Sequence, residues 1–475
     1  MNTYNFDDPD DNEDQENQDP LRKNREENFE QLYYKLKNSQ GTNNVDLLEK
    51  LVNLFYEEGD YEKSLHYIDL LLEQIPYSSE YWTLKGTLLN YLERYEEAIE
   101  SFDKALSLNP GDTETLLNRC ISLENINKYE EAIQCFNQII ENDPDNEDVF
   151  LSKALMLEKM GNYTGALSVL KMLRTIQPDN KLLWYELGYC YDLMNKPQEA
   201  LDCYKKNLEY DPFNYNAWYN CGIIYNKMML YSKAMANYEL ALAINEKFVP
   251  AWYNKGNTLA NMGRHYDAID CYKQTIRLEP KDTPSWHNMG NAYQELGEYE
   301  EAIKCFTQSI KCDSTHYESY FGRGLCYDYQ KKYKKALDDY NKALEIYQDD
   351  SDLWYAKADT SYNLGKWRDA LISYKIAVKI NPNNIYAMFD LAETLLEYGY
   401  IKQSLKTYNK CIELKPDWAD PYYGKAKVLF LLKNNYEAIE ALKNSFKLDA
   451  TKRKLFEVEF PGIRSIKEFK HLLEK

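Results

Sequence analysis

Between Ala251 and Pro280 the chain reads AWYNKGNTLANMGRHYDAIDCYKQTIRLEP. Apolar and small residues fall at Trp252, Gly256, Leu259, Ala268 and Tyr272, with polar residues between them. This pattern predicts two short amphipathic helices joined by a turn at Gly263. It returns 34 residues away in both directions. Upstream stand Trp218, Gly222, Tyr225, Ala234 and Tyr238; downstream stand Trp286, Gly290, Tyr293, Ala302 and Phe306. Counted this way, units begin at residues 45, 79, 113, 147, 181, 215, 249, 283, 317, 351, 385 and 419, and the last ends at Lys452. No insertion breaks the phase.

Position 8 of the first helix is small in most units, as at Gly86, Cys120, Ala154, Gly188 and Gly222. A larger side chain there would push the two helices apart. Position 20, in the second helix, is usually alanine, from Ala98 to Ala438. A bulky anchor such as Phe102, Phe136, Tyr204 or Tyr340 follows. Proline often closes the unit, as at Pro110 and Pro280, because it cannot continue a helix. The first unit departs from the pattern with Val52 and Ser64, and the ninth ends on Gln348.

A W-x2-L-G-x2-Y stretch, then A-x3-F, then P, in 34 residues, resembles the tetratricopeptide repeat. The resemblance spans residues 45–452 of 475. It implies an all-α fold: a right-handed α-solenoid, or superhelix, of twelve helix-turn-helix units. Residues 1–25 are read as a disordered acidic tail, since the first twenty hold eight acids and no base. Such a tail solubilises, or lures a basic partner. Phe29, Leu32, Tyr33 and Leu36 predict a leading helix over 26–39, within a capping segment 26–44. An array must cover its last open face. The segment 453–475 is therefore read as a cap, with a turn at Pro461-Gly462 and a helix over 464–474.

Charge narrows the partners. With 77 acids against 57 bases the net charge is -20, which repels nucleic acid and anionic membranes. No apolar run reaches the roughly 18 residues needed to span a bilayer, so membrane insertion is not expected. The ten cysteines include no CxxC pair. Cys135, Cys203, Cys271 and Cys305 share one repeat position where other units have Ser101 or Val169. They read as small apolar residues in a reducing, cytoplasmic setting. Tyrosine is abundant at 44 copies, which reflects genome composition or many half-buried positions with hydroxyls to satisfy.

No catalytic constellation appears. The five histidines form no i, i+4 pair, and no phosphate-cradling glycine loop or nucleophile elbow is present. No cofactor, metal site or enzymatic activity is expected, and function falls to a surface. The resemblance implies that positions 2, 5, 6 and 9 of the first helices line a concave peptide-binding groove. From the fifth unit onward position 5 is aromatic: Tyr185, Tyr219, Tyr253, His287, Phe321, Tyr355, Phe389 and Tyr423. Positions 6 and 9 add Asn220, Asn254, Asn257, Asn288 and Asn291. An amide offers both donor and acceptor to a peptide backbone. These five asparagines resemble the ladder in the repeat domain of O-linked N-acetylglucosamine transferases. The carboxylate clamp of heat-shock cofactors is absent, since Asn216, Pro250, Pro284 and Glu318 occupy position 2. The peptide-binding residues are expected to be Tyr185, Tyr219, Asn220, Tyr253, Asn254, Asn257, His287, Asn288, Asn291, Phe321 and Tyr355. The expected function is a non-enzymatic scaffold for an extended peptide or disordered protein partner. A targeting subunit of a modification system and a chaperone-like holder of clients are the alternatives, along with scaffold use of other faces.

Overall fold

The computed structural model describes residues 34–35, 44–462 and 469. The acidic tail, most of the leading helix and the 464–474 helix lie outside the described residues; residues 34–35 and Phe469 are helical. Among the described residues there are 25 α-helices and no strand. The fold is an all-α solenoid of tandem helix pairs. The chain divides into two compact units, Met1–Ala217 and Trp218–Lys475.

The pairs follow one plan. First helices of 13 residues run from Val45–Glu57 to Ala419–Leu431, and second helices of 14 residues run from Tyr61–Gln74 to Asn435–Leu448. Many first helices start where a short polar side chain caps them. Asp112 accepts from the Thr115 amide at 3.0 Å, Asp282 from Ser285 at 2.9 Å and Asn384 from Ala387 at 3.0 Å.

The turn between the two helices of a pair uses one backbone conformation throughout. Position 15 is left-handed in every pair, at Gly59, Gly161, Gly263, Gly297, Gly365 and Gly399 and also at Glu93, Asn127, Asn195, Met229, Lys331 and Lys433. Only glycine takes this conformation without Cβ strain. Met229, at φ 58° and 74% exposed, is the clearest opportunity. Met229→Gly is expected to raise stability by about 1 kcal/mol, read as a higher urea midpoint. A lower midpoint would show that the methionine side chain contributes more than its backbone strain costs.

Small residues let the paired helices touch. The position-20 alanines Ala98, Ala132, Ala166, Ala268, Ala302 and Ala370 have no exposed surface. Ser64 and Ser404 stand at the same position, and each donates its hydroxyl across the pair, to Val52 O at 2.9 Å and Ala392 O at 2.8 Å. The hydroxyl is thus satisfied, and the departure in the first unit costs little. In pair eight a Cβ on Gly290 would meet the Phe306 ring at 2.8 Å. One on Gly322, from the next first helix, would meet the same ring at 2.6 Å. Phe306 is therefore clamped between two glycine backbones.

Tryptophan at position 4 fastens neighbouring pairs. The indole N–H donates to a carbonyl six residues upstream: Trp82 to Pro76 at 2.9 Å, Trp184 to Pro178 at 2.7 Å, Trp286 to Pro280 at 3.1 Å and Trp354 to Gln348 at 2.8 Å. The accepting residue need not be proline, which is why Gln348 leaves the joint intact. After the twelfth pair, Thr451–Glu459 forms a further helix, earlier than the cap read from the sequence. Its Phe456 is fully buried against Tyr423, Phe446, Phe460 and Phe469.

Candidate protein-interaction surface

The first helices touch one another along each unit and carry the candidate residues. All eleven are half-buried: neither sealed in the core nor fully open to water. Tyr185 belongs to the first unit and the other ten to the second.

The aromatic row at position 5 packs on the anchors of its own pairs. Ring centroids lie 5.7 Å apart for Tyr185–Tyr204, 6.3 Å for Tyr253–Tyr272, 5.9 Å for Phe321–Tyr340 and 6.0 Å for Tyr355–Tyr374. The ring faces therefore support the core, and the hydroxyl edges reach the neighbouring first helix. Asn254 Nδ2 donates to the Tyr219 hydroxyl at 2.8 Å, and Asn288 Nδ2 to the Tyr253 hydroxyl at 3.1 Å. Tyr355 donates to Asp390 at 2.7 Å. Burial raises the Tyr219 pKa, and the Asn254 hydrogen bond works against the shift.

The asparagines form a connected network. Asn254 Nδ2 also donates to Pro250 O at 3.1 Å. Asn288 Nδ2 also donates to Asn257 Oδ1 at 3.0 Å, and that oxygen accepts from the buried Tyr272 hydroxyl at 2.8 Å. The donors of Asn254 and Asn288 and the acceptor of Asn257 are thus used internally. Among the described residues, Oδ1 of Asn254, Oδ1 of Asn288 and Nδ2 of Asn257 have no partner. Asn220 lies half-buried at the start of the same row.

His287 ends a proton-ordered chain. Asn291 Nδ2 donates to His287 Nε2 at 2.9 Å, which leaves the proton on Nδ1 for Ser319 Oγ at 3.1 Å. His316 Nδ1 meets the same hydroxyl at 2.9 Å. Ser319 then donates to Ser309 at 2.8 Å, and Ser309 to Thr283 O at 3.2 Å. Burial, then the nearby His316, press the His287 pKa down to about 4, so its ring is neutral at ordinary pH.

A second kind of rung joins successive first helices. Position 12 accepts from a hydroxyl or thiol 32 residues on: Asn90 from Ser122 at 2.7 Å, Glu158 from Cys190 at 3.1 Å, Asn226 from Thr258 at 3.0 Å and Asp328 from Thr360 at 2.6 Å. In the later pairs the anchor tyrosines donate to carboxylates, Tyr340 to Asp328 at 2.6 Å, Tyr374 to Asp359 and Tyr408 to Glu393. Burial pushes Asp359 up to about 6 even though its tyrosine bond favours the charged form.

A cavity of about 550 Å³ in the first unit, on pairs three to five, lies outside the residues expected from the sequence, apart from Tyr185. Ile121, Leu155 and Tyr189, all at position 9, form its apolar wall, with Tyr185 beside them. Burial, then Glu158, push Glu186 on this wall up to about 7. The available signal was the run of three apolar residues at a position that elsewhere holds Asn257 and Asn291.

Among the described residues no group of three or more His, Cys, Asp or Glu could hold a metal ion. All ten cysteines are free, and nine of them are buried. Among the described residues, no helix is long and apolar enough to cross a membrane.

Stacked helix pairs with rows of half-buried polar side chains define a helical-repeat interaction protein. Models of the tetratricopeptide repeat match residues 49–113, 91–155, 182–214, 249–282, 282–349 and 385–417, together more than half of the chain. The chain belongs to the tetratricopeptide repeat family. No curated protein matches it significantly. Solved structures that the chain matches include YrrB, described as a TPR protein with an unusual peptide-binding site, at 24% identity and a TM-score of 0.37, over 38% of this chain and 94% of that one. The APC/C hetero-tetramer Cut9–Hcn1 matches at 14% identity and a TM-score of 0.40, over 81% and 90%. The C-terminal part of a TPR repeat-containing protein from Cytophaga hutchinsonii matches at 20% identity and a TM-score of 0.44, over 49% and 96%. Arrays of this family are typically non-catalytic, and membership supports a protein–protein interaction scaffold.

Proposed function

We propose that the chain is a non-catalytic scaffold whose second unit holds an extended peptide or disordered segment of a partner protein along the first helices of pairs six to ten. The observation that carries this reading is the pattern of unused groups on the asparagines. Asn254 and Asn288 each offer a carbonyl oxygen, and Asn257 offers an amide N–H. An extended backbone presents N–H and C=O groups in alternation, so mixed acceptors and donors fit it without reading its sequence. The internal hydrogen bonds hold these amides in place before a ligand arrives, which lowers the ordering cost of binding. Tyr219, Tyr253 and Tyr355 add rigid amphipathic surface beside them.

The double variant Asn254→Ala, Asn288→Ala tests the reading. Partners are identified by affinity purification with mass spectrometry and then titrated individually. The variant is expected to weaken a specific partner by about tenfold or more, as loss of two hydrogen bonds of about 1 kcal/mol each implies, with its helical circular dichroism unchanged. Equal affinity for parent and variant rules out the asparagine row as the peptide site. Broad, weak capture of unfolded chains in place of a few specific partners would instead support client holding.

A further inference from the structure

The cavity on pairs three to five combines two features that water does not satisfy well. Its wall is apolar and open: Ile121 is 51% exposed, Leu155 42% and Tyr189 40%. Beneath them lie Cys120, Phe136 and Met156, which are buried, so the wall is backed by core and does not collapse into it. A space of about 550 Å³ falls in the range of ligand-binding clefts. It is large enough for a leucine, methionine or aromatic side chain with part of its neighbour.

The second feature is unbalanced charge. Glu124, Glu158 and Glu186 line the cavity, against the single cation Lys159. Lys159 is held by Glu124, across from the preceding first helix. Glu158 is only 9% exposed and receives just the weak Cys190 thiol donor. Glu186 is half-buried and has no hydrogen bond or ion pair among the described residues. Burial raises both carboxylates toward their neutral forms, and a cation set between them would restore the charged ones. The apolar wall favours a cation carried on an organic side chain over a hydrated ion.

We infer that this cavity is a second binding site, taking a bulky apolar side chain of a partner polypeptide together with an adjacent lysine or arginine whose cation settles against Glu158 and Glu186. The apolar residue fills the space between Ile121, Leu155 and Tyr189. The guanidinium or ammonium supplies the donors that the two carboxylates lack. Arginine fits best, because its planar fork can serve both acids at once and its weak hydration lowers the cost of entry. The site reads side chains, whereas the asparagine row of the second unit reads backbone. The two therefore predict different specificities and can be tested apart.

The probe is an array of short glycine–serine peptides that carry every pair of residues at two central positions, incubated with the full chain. Retained peptides are expected to combine Leu, Ile, Met, Phe, Tyr or Trp with an adjacent Arg or Lys. Fluorescence anisotropy with a Phe-Arg peptide should show about tenfold or greater weakening for Glu158→Gln with Glu186→Gln. These exchanges keep side-chain volume and remove buried charge, so the melting temperature should not fall. Leu155→Arg, which fills the cavity with its own cation, should abolish retention. The Asn254→Ala, Asn288→Ala variant should keep the same preference. The inference is overturned if no peptide is retained, if acidic and basic neighbours bind alike, or if the preference survives both the glutamine and the Leu155→Arg changes. A preference lost only in the asparagine variant would also overturn it, while leaving the backbone-reading site in place.

Discussion

Phe306→Ala is expected to cost about 3–5 kcal/mol, the usual range for removing a fully buried aromatic ring. The ring has no exposed surface. It fills the gap between the Gly290 and Gly322 backbones, and neither glycine has a side chain that could move into the space. The His287 ring also rests on it, with centroids 5.5 Å apart. One deletion therefore loosens pair eight, the joint to pair nine and the end of the asparagine row together. Repeat arrays unfold by neighbouring units and need not melt as one body. Hydrogen exchange should therefore show faster opening in residues 283–350, with remote pairs nearly unchanged. If protection there stays at the parental level, the ring is not what holds this joint.

The second large effect is acid sensitivity centred on His287. Its folded pKa of about 4 lies below the ordinary 6.5 because burial and His316 both oppose the charged ring. Above pH 6.5 the ring is neutral in both folded and unfolded chains, and pH has no leverage through it. Below 6.5 the unfolded chain binds the proton first, so stability falls as pH drops toward 4 and levels off below that. The gap between 6.5 and about 4 corresponds to about 3 kcal/mol. Urea unfolding of the parent and of His287→Phe, followed at pH 7 and at pH 4.5, checks this. Phenylalanine is the residue at the same position in the next pair, Phe321. The variant should lose less stability on acidification than the parent. Identical losses would mean that the histidine gains compensating contacts when charged.

The repeated scaffold was largely legible in the sequence because local rules and the tertiary stack demand the same residues. Small residues at positions 8 and 20 and bulky anchors between them are requirements of close helix packing, so they appear in the chain as written. The left-handed turn residue was only half legible. Glycine marks it in six pairs and asparagine, which tolerates it, in two more, Asn127 and Asn195, but Glu93, Met229, Lys331 and Lys433 adopt it with no sequence sign, under the constraint of the helices on either side.

The candidate surface was less legible, because its residues serve two masters. Asn257 reads as a ligand-facing amide, yet its oxygen satisfies the Tyr272 hydroxyl fifteen residues later. His287 reads as one more aromatic ring, but its nitrogens order a chain of hydroxyls. Gly322 occupies position 6, where Asn220, Asn254 and Asn288 suggest a ligand contact, and is instead one jaw around Phe306. Each role depends on a partner in another helix, at a distance the 34-residue count alone does not reveal. The apolar cavity on pairs three to five went unread for a related reason. Leu155 or Ile121 alone on a helix looks like ordinary surface, and only stacking brings them together beside Glu158 and Glu186.

The tyrosines give the molecule an optical record of its own folding. Tyr272, Tyr340, Tyr374 and Tyr408 are sealed in the core, and burial raises all four pKa values far above the ordinary 10. For the last three, a carboxylate at the hydroxyl raises them further, since a phenolate beside it would bring two negative charges together. An alkaline titration followed by phenolate absorbance should therefore split in two. Its early part comes from rings that solvent reaches, with no unfolding required. The anchors change colour only when their pairs come apart, so the late absorbance step times the loss of each joint without any added label.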